Sequence, residues 1–149
     1  MIDATRRIVI FDLDGTLANI DHRRHLVEGV QKDWRRFFAA CRYDILNDPV
    51  AAAFFGFSKQ FDRWIVSGRS DEVELETRVW LRDKGLFPDL LLMRKSGDYR
   101  SDVDLKREWL HSGIIPKDRV LCVFDDRDSV VAMWRAEGLP CFQVAPGNF

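Results

Sequence analysis

The amino-acid sequence predicts an α/β protein built on a parallel sheet that is flanked by helices. Short apolar segments typical of strands recur along the chain, and amphipathic segments typical of helices lie between them. The first predicted strand stops abruptly at two aspartates, Asp12 and Asp14, which are followed by a Gly-Thr turn. With 149 residues, the chain has the length of one domain. We therefore expect a single domain over residues 1–149.

Five strands are predicted, each from an apolar run bounded by polar or turn-forming residues. In chain order they are Arg7–Phe11, a strand with Trp64–Val66 at its core, Leu90–Met93, Val120–Phe124 and Cys141–Val144. Three helices are predicted between or after the later strands. The first covers Ser70–Lys84, with Ser70 as its cap and Gly85 as its stop. The other two cover Asp104–His111 and Asp128–Glu137.

The segment between the first two strands is longer than a simple crossover needs. It carries the apolar stripe of an amphipathic helix, formed by Trp34, Phe37, Phe38 and Cys41. A second helix, from Val50 to about Gln60, can serve as the crossover, which leaves residues 19–44 as an insertion. Two interpretations of this insertion stay open, a lid over the site or a packed peripheral helix. We expect Trp34 to be buried beneath it.

The composition is that of an ordinary soluble protein, with 46% hydrophobic and 32% charged residues. The formal net charge of −1 gives no overall electrostatic argument for nucleic-acid binding. No apolar run reaches the roughly 18 residues of a membrane span, and the amino terminus lacks the apolar centre of a secretory signal. The three cysteines show no C-x-x-C spacing, which favours reduced thiols. We expect a cytoplasmic protein with no membrane partner.

Polar side chains gather at the carboxyl ends of several predicted strands, where ligands bind in open α/β sheets. Besides the two aspartates after the first strand, they are Ser67, Gly68 and Arg69 after the second, Asp125 and Asp126 after the fourth, and Lys106 near the start of a helix. Paired carboxylates and a glycine-eased turn suit a hard cation and a phosphate. An ordinary Asp-Gly turn and a solvated lysine are the alternatives for the single features. A calcium loop is excluded, because Gly15 comes too early.

Together these motifs resemble the haloacid dehalogenase superfamily of phosphotransferases. The matching motifs are Asp12-Leu13-Asp14-Gly15-Thr16, Ser67, Lys106 and Asp125-Asp126. Further segments look like the phosphatase domain of phage polynucleotide kinase–phosphatase, namely 65–69, 97–100, 124–127, 133–135 and 143–149. The resemblance implies a Rossmann-like sheet with the first strand at its centre and a small helical lid inserted after it. No G-x-x-x-x-G-K-[ST] loop of the kinase half is present in the 149 residues.

The resemblance also implies how the reaction proceeds. Asp12 would attack the phosphate and form an aspartyl-phosphate. Asp14 would protonate the departing alkoxide and afterwards deprotonate the attacking water. Ser67, Lys106 and the backbone amides of the Asp14-Gly15 turn would stabilise charge on the transferring oxygens.

A cation is implied as well, because a phosphate dianion repels a carboxylate nucleophile. Mg²⁺ would be held by oxygen ligands from Asp12, the backbone carbonyl of Asp14 and Asp125, with Asp126 acting through a coordinated water. Other residues are expected to bind substrate, namely Gly15, Thr16, Arg23, Gly68 and Arg69. Of these, Arg23 matches the arginine that contacts substrate in the resembled family, and a guanidinium can hold phosphate oxygens bidentately.

The leading hypothesis is a Mg²⁺-dependent phosphomonoesterase acting on a nucleotide or on the 3′-phosphate of a polynucleotide end. A phosphatase for small metabolites such as sugar phosphates is the alternative, with the same catalytic residues. A non-catalytic binding module is disfavoured, because Asp12, Asp14 and Lys106 are all present. The tryptophans lie in predicted strands or helix stripes and are assigned to core packing. His22 and His25 are taken as surface residues without a task.

Overall fold

A computed structural model describes residues 4–57 and 60–149. Its central feature is a five-stranded parallel sheet with strand order β5-β4-β1-β6-β7. These strands are β1 (Arg7–Phe11), β4 (Phe61–Ser70), β5 (Leu90–Arg94), β6 (Val120–Asp125) and β7 (Cys141–Gln143). The first strand lies at the centre of the sheet, as expected. Its carboxyl end therefore lies between β4, which continues to Ser70, and the end of β6.

Helices cover both faces of this sheet. They are α1 (Asp21–Arg24), α2 (Trp34–Ala39), α3 (Asp48–Gly56), α4 (Glu74–Asp83), α5 (Asp102–His111) and α6 (Asp128–Ala136). Short 3-10 helices cover Ala40–Tyr43, Asp71–Val73 and Lys117–Arg119. Among the described residues, none of the helices is both long and apolar enough to cross a membrane.

Side-chain alternation along β1 explains the three layers. Ile8 and Ile10 point to one face of the sheet and pack in a core with α5 and α6. Val9 and Phe11 point to the other face and pack in a second core with α3 and α4. All four residues are fully buried, as expected for a central strand of a parallel sheet. The predicted strand and helix pattern is thus confirmed.

Some boundaries differ from those predicted. The strand β4 continues through Ser67, Gly68 and Arg69, with an irregular register to β5 between Ser67 and Ser70, so this motif lies within the strand. The helix predicted from Ser70 begins with a 3-10 turn, where the Ser70 hydroxyl accepts a hydrogen bond from the Glu72 amide. The helix α5 begins two residues early, because Ser101 caps it by accepting from the Asp104 amide at 3.1 Å.

The crossover helix α3 begins before Val50 and ends at Gly56 rather than near Gln60. Residues 58–59, within the predicted end of that helix, lie outside the described part of the chain.

The segment from 19 to 44 leaves the sheet and returns to it through a short antiparallel pair. β2 (Ala18–Asn19) pairs with β3 (Ile45–Leu46) at its base, and α1 and α2 lie between them. One expectation for this segment is wrong. Trp34 is 46% exposed, since α2 is only six residues long and its first residue lies at a cleft while Phe37 is buried.

Candidate active site

A cleft of about 920 Å³ opens at the carboxyl end of β1. The sheet side of its wall carries acidic and basic residues from strand ends and from α5, while the 19–44 segment supplies apolar residues together with Arg24 and Arg35. Those apolar groups include Trp34, Phe37 and Phe38, whose rings lie 5.6–5.9 Å apart. The cleft thus has a floor of charged side chains, and three aromatic rings line part of its wall.

Three carboxylates meet on the floor of the cleft. Asp12, Asp125 and Asp126 are buried, and each offers an oxygen within 4.8 Å of those of the other two. The buried ammonium of Lys106 bridges two of them, at 2.9 Å from Asp12 Oδ1 and 2.9 Å from Asp125 Oδ2. Lys106 can reach this point because α5 packs beside the sheet with its first turns at the cleft. Four residues that the sequence predicts as catalytic or metal-binding are therefore in one cluster.

The cluster holds more negative than positive charge. Burial raises the pKa of Asp12 well above its usual value, and the neighbouring carboxylates raise it further, although Lys106 lowers it. Burial and Asp125 raise the pKa of Asp126 to about 6. The two carboxylates on either side of Lys106 raise the pKa of its ammonium against the effect of burial. A cation is thus favoured here, and the all-oxygen donor set fits Mg²⁺.

Gly15 and Thr16 form the turn that follows the strand. Gly15 has φ +82°, and a Cβ at this position would overlap the Asp126 carboxylate, so only glycine fits. The Thr16 hydroxyl is fully buried and lies 3.4 Å from both Asp12 Oδ2 and Asp126 Oδ1. Both residues therefore lie directly against the carboxylate cluster.

Two buried arginines surround Asp14 on the other side of the cleft floor. Arg23 donates to Asp14 Oδ1 at 2.6 Å, and Arg69 makes a short hydrogen bond to the same oxygen. Both arginines also donate to the carboxylate of Asp44, which is fully buried. Burial acts to raise the pKa of Asp14, but Arg69 and Arg23 lower it to about 2. Asp14 is therefore ionised at neutral pH.

The positions of Arg23 and Arg69 differ from those expected of substrate-binding residues. Their side chains are fully buried, and their guanidinium groups bind protein atoms. Besides the two carboxylates, Arg23 donates to the Phe37 carbonyl and lies 4.2 Å from the Phe37 ring, while Arg69 donates to Thr77. Neither guanidinium is left open to hold a phosphate. Both guanidinium groups contact Asp14 instead.

Ser67 and Gly68 lie between these two groups. The buried Ser67 hydroxyl accepts a hydrogen bond from the Arg69 amide at 3.1 Å and lines the cleft. A Cβ on Gly68 would overlap the carboxylate of Asp102, so this strand approaches α5 as closely as a backbone allows. The Gly68 carbonyl accepts from Arg94 at 2.8 Å.

Four contributors to the site were missed in the sequence. Asp44 has no local signal, because it follows a 3-10 turn far along the chain from Asp14. His22 lies at the surface as expected, but its Nε2 lies 2.7 Å from Asp44 Oδ1, a contact that the sequence does not indicate. Asp102, which binds Arg94, precedes Lys106 by four residues on α5, a spacing that puts both on one helix face. Trp134 donates to Asp125 Oδ2 at 3.3 Å. The resemblance of segment 133–135 to the phosphatase family is the sequence signal that could have indicated this contact.

Comparison with known proteins agrees with this geometry. The profile of the polynucleotide kinase (PNKP) phosphatase domain matches residues 6–149. The chain belongs to this family. The chain is 32% identical over 145 residues to a putative bifunctional polynucleotide kinase/RNA ligase of Autographa californica nuclear polyhedrosis virus. That alignment covers 93% of this chain but only 19% of the viral protein.

Solved structures extend the comparison. The chain is similar to one in the Pnkp1/Rnl/Hen1 RNA repair complex, with a TM-score of 0.83 and 35% identity, covering 99% of this chain and 45% of that one. A haloacid dehalogenase-like hydrolase from Streptococcus pneumoniae has the same fold, with a TM-score of 0.62 and 12% identity over 93% of this chain and 84% of its own. The domain is therefore a phosphatase of the haloacid dehalogenase superfamily that spans less than half of its first relatives.

Proposed function

We propose that the domain is a Mg²⁺-dependent phosphomonoesterase that works through an aspartyl-phosphate on the 3′-phosphate of a polynucleotide end or nucleotide. One observation carries the mechanism. The buried carboxylate of Asp12 accepts a hydrogen bond from Lys106 within the carboxylate cluster. A second aspartate, Asp14, is held through its Oδ1 atom by Arg23 and Arg69. Asp12 can thus act as the nucleophile while Asp14 transfers protons, and hydrolysis through a covalent intermediate requires both roles.

In the first step, a carboxylate oxygen of Asp12 attacks phosphorus, and the bond from phosphorus to the ester oxygen breaks. The leaving alkoxide takes a proton from Asp14. In the second step, Asp14 accepts a proton from water, whose oxygen attacks the same phosphorus and releases Asp12. Lys106 and Ser67 line the cleft beside Asp12 and donate to the charge that develops on the transferring oxygens.

Asp14 must be protonated before it acts as an acid, although Arg69 and Arg23 lower its pKa to about 2. A bound phosphate dianion brings negative charge next to this carboxyl and raises its pKa. Asp44 offsets part of the positive charge of both arginines, so they hold Asp14 in position while leaving it able to gain a proton. The same carboxylate form then serves as the base in the second step.

Magnesium would be held by Asp12 and Asp125, with Asp126 nearby, and would supply positive charge against the substrate dianion and the carboxylates. The donor set and the raised pKa values of Asp12 and Asp126 support this cation. A haloacid dehalogenase family enzyme from Bacteroides thetaiotaomicron with the same fold (TM-score 0.54, 10% identity) was solved with magnesium and inorganic phosphate.

The two relatives named for polynucleotide kinase and RNA repair support a nucleic-acid end as substrate. A small-metabolite phosphatase would use the same floor of the cleft. Phosphate release from a 3′-phosphorylated oligonucleotide, its 5′-phosphorylated counterpart and glucose 6-phosphate, each with Mg²⁺ and with excess chelator, tests the assignment. We expect release from the 3′-phosphate with Mg²⁺ only. Preferred hydrolysis of the sugar phosphate would overturn the proposed substrate. Full activity in chelator would overturn the proposed metal requirement.

Replacing Asp14 with asparagine is expected to slow poor leaving groups far more than good ones. An alkoxide needs a proton as it departs, whereas an activated aryl oxide does not, so general acid catalysis is lost for the first only, by roughly 10²–10⁴-fold. Single-turnover rates on a nucleoside 3′-phosphate and on p-nitrophenyl phosphate measure this difference. An equal loss on both esters would remove Asp14 from the acid role.

A further inference from the structure

Arginines in and beside the cleft differ in how their side chains are bonded. Arg23, Arg69 and Arg94 are held by several hydrogen bonds each to carboxylates and backbone carbonyls. These three fix the site but have little capacity for a ligand. A second pair, Arg24 and Arg127, also lines the cleft and is bonded differently.

In the described part of the chain, neither Arg24 nor Arg127 donates a side-chain hydrogen bond to another residue. Arg24 lies 3.6 Å from Asp21, and Arg127 lies 3.4 Å from Asp102, so each has one long ion pair. The Nε of Arg24 is buried without a hydrogen-bond partner. A buried guanidinium donor that lacks an acceptor has a cost in free energy, which an anionic ligand would remove.

Both guanidinium groups pack against the ring of Phe149. The Cζ atom of Arg24 lies 4.6 Å from the ring centroid, and that of Arg127 lies 4.9 Å from it. The ring is itself held in position, because Gly147 packs against the backbone of Asp126 so closely that a Cβ would overlap it. The Gly147 carbonyl also accepts from the Asp128 amide at 2.8 Å. Two like charges are thus kept at one wall of the cleft.

This pair lies next to the reacting centre without being part of it. Arg127 follows Asp126, and its amide lies 3.4 Å from Asp125 Oδ1. Arg24 follows Arg23, which binds Asp14. Each side chain keeps about a third of its surface exposed to the cleft or to solvent. Guanidinium groups with open donors suit an anion with several oxygens, and they bind phosphate bidentately.

We propose that Arg24 and Arg127 form a second anion site, which holds a phosphate of the substrate that does not react. The proposal rests on the proposed function and deepens it. In a polynucleotide end, the group concerned is the phosphate on the 5′ side of the terminal nucleoside. A substrate that carries this second phosphate binds through both sites, whereas a nucleoside 3′-monophosphate binds through one. The 5′-phosphate therefore determines specificity.

Thymidine 3′,5′-bisphosphate and thymidine 3′-monophosphate differ only in this phosphate, and release of the 3′-phosphate is followed by chromatography. The wild-type protein is expected to prefer the bisphosphate by at least about tenfold in kcat/KM, the size of one charge-assisted contact. In an Arg24→Gln, Arg127→Gln double variant, the ratio is expected to fall to about one. The Arg24→Gln single variant is expected to lose part of the preference for the bisphosphate. It leaves Arg127 in place, so the ratio can be measured even if the loss of Arg127 disturbs the neighbouring carboxylates.

Arg35→Gln is the matched control, because Arg35 lines the same cleft from the exposed side of α2 and lies outside the proposed site. We expect its ratio to equal that of the wild type. A wild-type ratio near one, a ratio unchanged in the double variant, or an equal loss in Arg35→Gln would each overturn the second site.

Failure of the proposed function would look different. In that case neither thymidine phosphate would lose its 3′-phosphate, while glucose 6-phosphate would be hydrolysed. The same variants, compared on glucose 1,6-bisphosphate and glucose 6-phosphate, then decide on the second site. A preference for the sugar bisphosphate that disappears in the double variant keeps the site and assigns it to a metabolite. An unchanged preference overturns it.

Discussion

Replacing Asp12 with asparagine is expected to abolish turnover while leaving the protein folded. The amide cannot form the acyl-phosphate bond, so kcat should fall by at least about a thousandfold. Burial among other carboxylates raises the pKa of Asp12, which means that its charge opposes folding of the metal-free protein. The thermal midpoint of the variant should therefore equal or exceed that of the wild type in chelator. Phosphate release and thermal unfolding measure the two effects.

The matched control for this change is Asp118→Asn, which alters an exposed aspartate in the 3-10 turn before β6. It should retain wild-type activity and stability. Trapping offers a direct readout as well, since the wild-type protein quenched in acid during turnover should carry labelled phosphate and the Asp12→Asn variant should not. Wild-type-like turnover in the variant would refute the covalent step.

The substitution Lys106→Met should have the second large effect, on both stability and activity. The ammonium is fully buried and is the group that bridges Asp12 and Asp125. Without it, buried carboxylates face one another uncompensated, and breaking a buried ion pair in this way costs about 3–5 kcal/mol. For a domain of this length, the midpoint should fall by roughly 10 °C in chelator.

Magnesium should stabilise the Lys106→Met variant more than it stabilises the wild type, because a divalent cation replaces the missing positive charge. Thermal unfolding with chelator and with Mg²⁺ measures this difference without reference to activity. Lys84→Met, which changes an exposed lysine after α4, provides the control and should leave the midpoint within about 1 °C. Equal responses to Mg²⁺ in variant and wild type would argue against a cation beside Asp12 and Asp125.

Much of the fold follows from local patterns. The apolar run before Asp12 predicts a central strand, and Asp125 ends β6 where chemistry is expected. Ser67 lies in the site as well, although β4 continues for three residues beyond it. These features depend on residues that are close in sequence. They can therefore be predicted from hydrophobic periodicity and from the tendency of ligands to bind at strand ends. Lys106 could be assigned from a family motif but not from its surroundings, because its burial depends on how α5 packs against the sheet.

The remainder depends on contacts between distant parts of the chain. Asp44 lies thirty residues from Asp14, and nothing near it in sequence indicates a bond to Arg23 and Arg69. For the same reason, the sequence predicts that both arginines bind substrate, whereas in the structure they bind carboxylates of the protein itself. Trp34 shows the limit of helical spacing. A stripe of apolar residues predicts which side chains share a helix face. It does not predict that Trp34, the first residue of the stripe, lines a cleft.

The narrow base of the 19–44 segment has a consequence for how such domains diverge. The chain leaves and re-enters the core at one place, where Asn47 donates to the carbonyls of Leu17 and Thr16. Segments of different length can be exchanged at such a junction at small entropic cost, since loop closure depends only weakly on length. Here, however, Arg23 and Asp44 travel with the segment. Exchanging the segment would therefore change both substrate access and the acidity of Asp14. Substrate selectivity and proton transfer would evolve together in such domains.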